Sequence, residues 1–381
     1  MSDQNAVLET AVNENAVPFV VAMTASSDGI TYSGAAGQAA EGRDAGEDTA
    51  FRIFSMTKAI GSAAAMILID KGKLSMDTPV ADILPAWNTL QVLEGWNGDE
   101  PIIRTQATAA TIRNLATHTS GMEYEFWNAD CAKFLETTGH PSVLAGSRDA
   151  LNYPLMTDPG TRWGYGPSID WLGQVVETVD GRRIDQFCRE EIFEPLGMGD
   201  TMFEPDALAD RLAGVSIRGE DGNFAPFELA PPPQPEVYGM GHALYSTAPD
   251  YLRFLRMVLG NGALDGNRIL SEAACKEMCA DQMQGLTVQP MISVAPPLTA
   301  DVDLFPDMRV THGFAFLRNE ADVPGKRSAG SLSWAGVCNT HYWIDPARDV
   351  AAVIMTQSLP FVEPPLLKTY DAYERAVYAA L

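Results

Sequence analysis

Positive charge is what this chain of 381 residues has least of. It carries 26 lysines and arginines against 50 aspartates and glutamates, a net charge of −24 at pH 7. So negative a body is repelled by phosphate backbones and anionic bilayers, which excludes nucleic acid and membrane surfaces as expected partners. Long apolar runs are missing too. The best, residues 59–69, is about half of the roughly 20 residues a membrane span needs, and it holds Gly61 and Ser62. The first 14 residues include Asp3, Glu9 and Glu14 and no basic side chain. The apolar stretch 17–25 therefore lacks the positive leader of a secretory signal.

Cysteine is scarce and odd in number at five, and the nearest pair, Cys275 and Cys279, has a spacing that fits no common zinc or redox pattern. Free buried thiols in a reducing cytoplasm are the expectation. The five histidines are scattered, with no H-E-x-x-H, so neither a metal nor a cofactor is expected. Absent as well are the G-x-S-x-G elbow, the phosphate-binding G-x-x-x-x-G-K-[ST], and any extension of Gly239-Met240-Gly241 into a dinucleotide fingerprint.

What is present suffices for a folded core: 46% of residues are apolar and 20% charged. The length exceeds one average domain of ~150 residues. Residues 19–26 and 30–34 flank Asp28-Gly29 and predict two strands joined by a tight turn. Further strands are expected at 314–317, 328–334, 338–344 and 350–355, with Asp345-Pro346-Ala347-Arg348-Asp349 as the last turn. Helices are expected at 109–117, 169–179, 184–193, 248–259 and 366–380, and the proline-rich 231–235 as an extended connector. Strands at both ends with helices between predict an α+β fold: an antiparallel sheet flanked by helices plus an inserted helical region. Residues 1–75 and 240–381 would form the discontinuous sheet domain and 76–239 the mainly helical insert, with the site at their interface.

The chemistry begins at Ser55-Met56-Thr57-Lys58. Only seven of the basic residues are lysines, and this one opens a run of Ala, Ile, Met and Leu that ends at Lys71-Gly72. On a helix, positions i and i+3 share a face, so Lys58 can reach the Ser55 hydroxyl. Serine is a weak nucleophile until a base takes its proton. Lysine serves only when neutral, which apolar surroundings favour. Unpaired N–H groups at the helix start would favour an oxyanion beside Ser55. Tyr165 lies in a Gly/Pro-rich turn, Trp163-Gly164-Tyr165-Gly166-Pro167-Ser168, where a phenol near a lysine could shuttle that proton.

Six blocks then fall in a telling order: 55–58; Leu115-Ala116-Thr117-His118-Thr119-Ser120-Gly121-Met122; 165–173; Glu194-Pro195-Leu196-Gly197-Met198; 241–247; and Trp334-Ala335-Gly336-Val337. Together they resemble the serine β-lactamase-like hydrolases over almost the whole chain, and most of all the family VIII carboxylesterases, cousins of class C β-lactamases and DD-peptidases. The resemblance implies a β-lactamase/DD-peptidase-like fold, Ser55 as the acylated nucleophile, and Lys58 with Tyr165 as a coupled acid–base pair. It also implies an oxyanion hole from the N–H groups of Ser55 and Val337.

β-Lactamases usually carry Lys-Thr-Gly where this chain has Trp334-Ala335-Gly336. An indole in place of a cation removes an anchor for substrate carboxylates and adds an apolar wall. The third position of Tyr165-Gly166-Pro167 likewise lacks the amide of Y-x-N. Trp334 and Gly336 are therefore expected in the substrate-binding wall. His118 sits in a block that is a structural loop in such proteins, so no catalytic role is expected of it. Asp170 is expected to anchor structure behind Tyr165. These residues together imply a serine carboxylesterase acting on short-chain or neutral esters. A β-lactamase or DD-peptidase-like amide hydrolase, or an acyltransferase, is the alternative, and a non-catalytic acyl-ligand-binding protein the remote one.

Overall fold

The computed structural model describes residues 3–229 and 235–381, so most of the 231–235 connector lies outside the described residues. Its centre is β1 (Phe19–Ala25), seven residues without one exposed position. The run is apolar but for Thr24 because both faces of the strand are covered. Side chains alternate sides along a strand. Val20 and Ala22 pack with α1 (Asp3–Asn13) and the C-terminal helix, whereas Phe19, Val21 and Met23 join the larger core on the other face.

β1 pairs antiparallel with β2 (Ile30–Ala40), and β2 with the two-residue β3 (Arg43–Asp44). Five strands of the sheet come from the far end of the chain: β4 (Val310–His312), β5 (Leu317–Asn319), β6 (Leu332–Gly336), β7 (Thr340–Asp345) and β8 (Val350–Met355). Across the sheet the order is β4-β5-β6-β7-β8-β1-β2-β3, antiparallel throughout. Residues 19–44 and 310–355 thus build one sheet, as the sequence pattern predicts.

α2 (Thr57–Asp70) is buried at every position from Thr57 to Leu68. α3 (Ser168–Asp180) packs across it. Met240 wedges between the two, and a Cβ on Gly61 or Gly173 would come within 2.8 or 2.7 Å of it. That wedge fixes the loop at Gly241, beside Lys58. α4 (Ala248–Leu259) packs against β1 and β8, and α5 (Pro364–Ala379) against α1.

Several boundaries differ from the pattern. β2 continues to Ala40 through a Gly- and Ala-rich stretch of poor strand propensity, because its pairing with β1 holds it extended. The strand expected at 314–317 lies at Leu317–Asn319, since Ala315 at φ +60° breaks the preceding backbone. The one expected at 328–334 starts only at Leu332, after Gly330 at φ +82°. The 76–239 region also contains a hairpin, Gln91–Asn97 with Glu100–Thr105, which helical periodicity did not reveal.

Candidate active site

Ser55 lies in a single 3₁₀ turn, Phe54–Met56, that runs straight into α2. It sits just before the helix instead of at its first residue, and the i, i+3 relation to Lys58 survives. Phe54 takes φ +43°, a left-handed conformation rare for a non-glycine residue. The turn is tied from three sides. Ile53 N donates to Leu244 O at 3.1 Å, Tyr251 Oη to Met56 O at 2.8 Å, and Thr340 Oγ1 to Ile53 O at 3.3 Å. β6 comes so close that a Cβ on Gly336 would stand 2.3 Å from Ile53 O. Gly336 thus lets β6 bring Val337 alongside Ser55, and it lines no cavity of the site.

Lys58 is wholly buried. Its Nζ donates to Gly241 O at 2.7 Å and reaches Ser55 Oγ and Tyr124 Oη, both at 3.1 Å. Burial drives its pKa down from 10.5 to about 7, and the opposing pull of Asp170 is the smaller effect. Asp170 accepts a hydrogen bond from Gly241 N at 3.3 Å and lies 3.4 Å from His242 Nδ1. It holds the loop whose carbonyl receives Lys58, where the sequence had suggested an anchor behind Tyr165.

Tyr165 is buried, with Lys58 Nζ 4.8 Å from its ring centroid. Its phenol shares a hydrogen bond with Ser55 and accepts one from Trp334 Nε1 at 3.2 Å. Burial raises its pKa well above 10 despite these two bonds, so the phenol stays protonated at neutral pH. The Trp334 indole meets the Tyr165 ring edge-on at 4.9 Å. His118 meets the Tyr165 ring edge-on at 4.9 Å and His312 at 5.3 Å. Burial holds its pKa well below 6.5. Among the described residues no carboxylate bonds to it, which leaves a neutral packing imidazole.

Two spaces open on Ser55. One is a cavity of about 290 Å³ whose walls include Phe126, Trp127, Leu144 and Leu298. The other is a cleft of about 20 Å³ bounded by Trp334, Ala335 and Phe361. Tyr165 and Val337 line both, and neither has a lysine or arginine among its lining residues. Two contributors were invisible in the sequence. Tyr124 stands just beyond the 115–122 block with no pattern of its own, and Gly241 acts through a carbonyl, which residue type does not encode.

Residues 5–375 match the Beta-lactamase family model, after a site geometry in which serine, lysine and tyrosine converge. The chain belongs to the Beta-lactamase family. Its fold is β-lactamase/DD-peptidase-like. Relatives within reach of this Beta-lactamase-family chain include acyltransferase calJ of Penicillium decumbens, 29% identical over 345 residues that cover 87% of this chain and 81% of that protein. Lovastatin esterase of Penicillium rubens is 29% identical over 324 residues, 82% of this chain and 80% of that one. The structure of simvastatin synthase from Aspergillus terreus, a LovD6 mutant, superposes with a TM-score of 0.85 at 25% identity, covering 99% of this chain and 94% of the other.

Among the described residues, no helix is long and apolar enough to cross a membrane, and no group of His, Cys, Asp or Glu is placed to hold a metal ion. All five cysteines are free, four of them buried and Cys279 half-buried.

Proposed function

We propose that this Beta-lactamase-family member transfers acyl groups from ester-type donors to hydroxyl acceptors through an acyl-enzyme on Ser55, water being the competing acceptor. The observation that carries it is the 3.1 Å contact between Ser55 Oγ and a lysine with no solvent exposure. At its ordinary pKa of 10.5, roughly three lysines in ten thousand would be neutral at pH 7; with the pKa near 7, about half are. Burial thus supplies about a thousandfold more base.

Ser55 Oγ attacks the ester carbonyl carbon as Lys58 Nζ takes its proton. The oxyanion rests between the N–H groups of Ser55 and Val337. As the ester C–O bond breaks, the departing alkoxide takes a proton from Tyr165, whose phenol is too weakly acidic to stay ionised and recovers a proton from Lys58. The acceptor hydroxyl then gives its proton to Lys58 and attacks the acyl carbon, and Lys58 passes that proton to Ser55 Oγ as the acyl–serine bond breaks. Tyr124, Asp170 and the Gly241 carbonyl position Lys58 and do no chemistry of their own.

Carboxylesterase activity alone, the first expectation from sequence, is the narrower version. Relatives named as an acyltransferase and a methylbutanoyltransferase support transfer at least as well as hydrolysis. The absence of lysine or arginine from the lining of either space favours neutral substrates over carboxylate-bearing lactams. The Trp-Ala-Gly block, like that of family VIII esterases, agrees. The test is a short nitrophenyl ester assayed with and without added butanol. Butanol should yield butyl ester at the expense of free acid. A fluorophosphonate should label the Ser55 peptide, and labelling that persists in Ser55→Ala removes the assignment. Faster turnover of a chromogenic cephalosporin than of the ester would move the chain to the β-lactamases.

A further inference from the structure

Behind the small cleft lies a second chamber of about 210 Å³, reaching Trp163 and Leu317. Cleft and chamber share four lining residues: Met291, Val302, Leu304 and Trp334. These side chains form an apolar septum between the Ser55 hydroxyl and the chamber. Its backbone is clamped. Met291 N donates to Val302 O at 3.0 Å and Val302 N to Met291 O at 2.8 Å. Ala300 N donates to Phe361 O at 3.0 Å, and Val294 N to Phe126 O at 2.9 Å, so both ends are tied to the walls of the site. With the backbone held, side-chain size alone sets how far the cleft extends.

The two halves of an ester have different needs. The acyl half stays bonded to Ser55 between the two chemical steps, so a small cleft suits it. The alcohol half must leave and an acceptor enter while the acyl group is in place, so that half needs an open route. The 290 Å³ cavity, more than ten times the volume of the cleft, leaves that route beside a bound acyl group.

We infer that the acyl group occupies the cleft under Trp334, and that the Met291–Val302–Leu304–Trp334 septum limits it to an acetyl- or propionyl-sized group while closing off a chamber able to take a longer aliphatic tail. A water-sized group needs about 10–15 Å³ of free space, so a cleft of about 20 Å³ has room for one or two carbons beyond the carbonyl. The inference rests on Ser55 being the acylated residue.

The test compares kcat/KM for octanoyl and acetyl nitrophenyl esters in the wild type, Leu304→Ala and Met291→Ala. Each methylene newly buried is worth roughly fourfold. Opening the septum should therefore raise the octanoyl-to-acetyl ratio by at least about tenfold, and Leu304→Phe should lower it. Leu144→Ala, on the larger cavity, should leave that ratio alone and change the preference among acceptor alcohols. An unchanged ratio in both septum variants overturns the inference, as does a rise in Leu144→Ala instead. Fluorophosphonate labelling of the wild type separates the two levels: no adduct on Ser55 removes the acyl-enzyme itself, whereas an adduct with unchanged ratios removes only the septum.

Discussion

Replacing Lys58 with methionine should change how stability depends on pH, and the size of that change follows from burial. In the folded protein the Lys58 ammonium titrates near pH 7, whereas in the unfolded chain it titrates near 10.5. Between those values the unfolded state holds a proton that the native state has released. Unfolding then takes up a proton, so stability rises with pH. The cost of burying the lysine is full below pH 7, declines across the window and is gone above pH 10.5. The slope is about 1.4 kcal/mol per pH unit. From pH 7.5 to 9.0 the wild type should gain about 2 kcal/mol relative to Lys58→Met. Methionine leaves the Tyr124 hydroxyl and Gly241 carbonyl short of a partner, at about 1–3 kcal/mol each, but that loss is the same at every pH in this range. Denaturant melts of both proteins at pH 7.5, 8.25 and 9.0 would measure the difference. Kinetics offer a second reading of the same titration, because wild-type acylation should rise with pH through a midpoint near 7. Parallel stability curves over this range would mean that Lys58 keeps its proton in the folded state. It could not then be the base, and the mechanism would fail with it.

Trp334→Phe removes the N–H that holds the Tyr165 hydroxyl at 3.2 Å while keeping an aromatic wall. A lost hydrogen bond of about 1–1.5 kcal/mol predicts a five- to tenfold fall in kcat with little change in KM for an acetyl ester. An unchanged kcat would show that Tyr165 needs no such support. Tyr124→Phe deletes an oxygen that accepts from the Lys58 ammonium, so it should move the acid limb of the kcat/KM profile to lower pH. A shift to higher pH would contradict that hydrogen bond. Gly336→Ala would set a Cβ 2.3 Å from Ile53 O and 2.4 Å from Thr340 Oγ1, so β6 must part from the Ser55 turn. Stability should fall by about 2 kcal/mol or more and fluorophosphonate labelling should slow. Normal labelling would mean that this approach of β6 does not place Val337.

What the sequence made legible follows from how each feature is encoded. β1 and β8 were readable because a strand covered on both faces is apolar at nearly every position, and α4 because Pro249 and the apolar spacing mark its ends. The hairpin at 91–105 was not, since its second strand is largely exposed and the alternation is faint. Ser55, Lys58 and Tyr165 could be named in advance because their side chains carry the resemblance, and the structure places Lys58 Nζ 3.1 Å from Ser55 Oγ and 4.8 Å from the centre of the Tyr165 ring. Trp334 was expected to face substrate. It also holds Tyr165 through its indole N–H, a second duty that one residue type cannot announce. Gly336 was expected in the substrate wall and proves to be a point of backbone approach.

The most informative scarcity was lysine. Five of the other six keep side chains from 16% to 82% exposed, each in contact with a carboxylate, and Lys276 lies exposed near a helix end. Lys58 alone is submerged, in a helix whose neighbours offer it no carboxylate contact. In a chain of net charge −24, an acidic partner for that ammonium would have been easy to supply. Asp170 stands near enough to pull its pKa upward, yet its hydrogen bond goes to Gly241 and not to Nζ. A direct ion pair would have stabilised the fold and locked the proton onto the amine. Phe54, held at φ +43° immediately before Ser55, adds about 1–3 kcal/mol of backbone strain at the same spot. Both costs fall on the five residues from Phe54 to Lys58, and both are borne by the buried length of α2. A fold under selection for stability alone would keep neither, so their coincidence at one hydroxyl is itself an argument that the hydroxyl reacts.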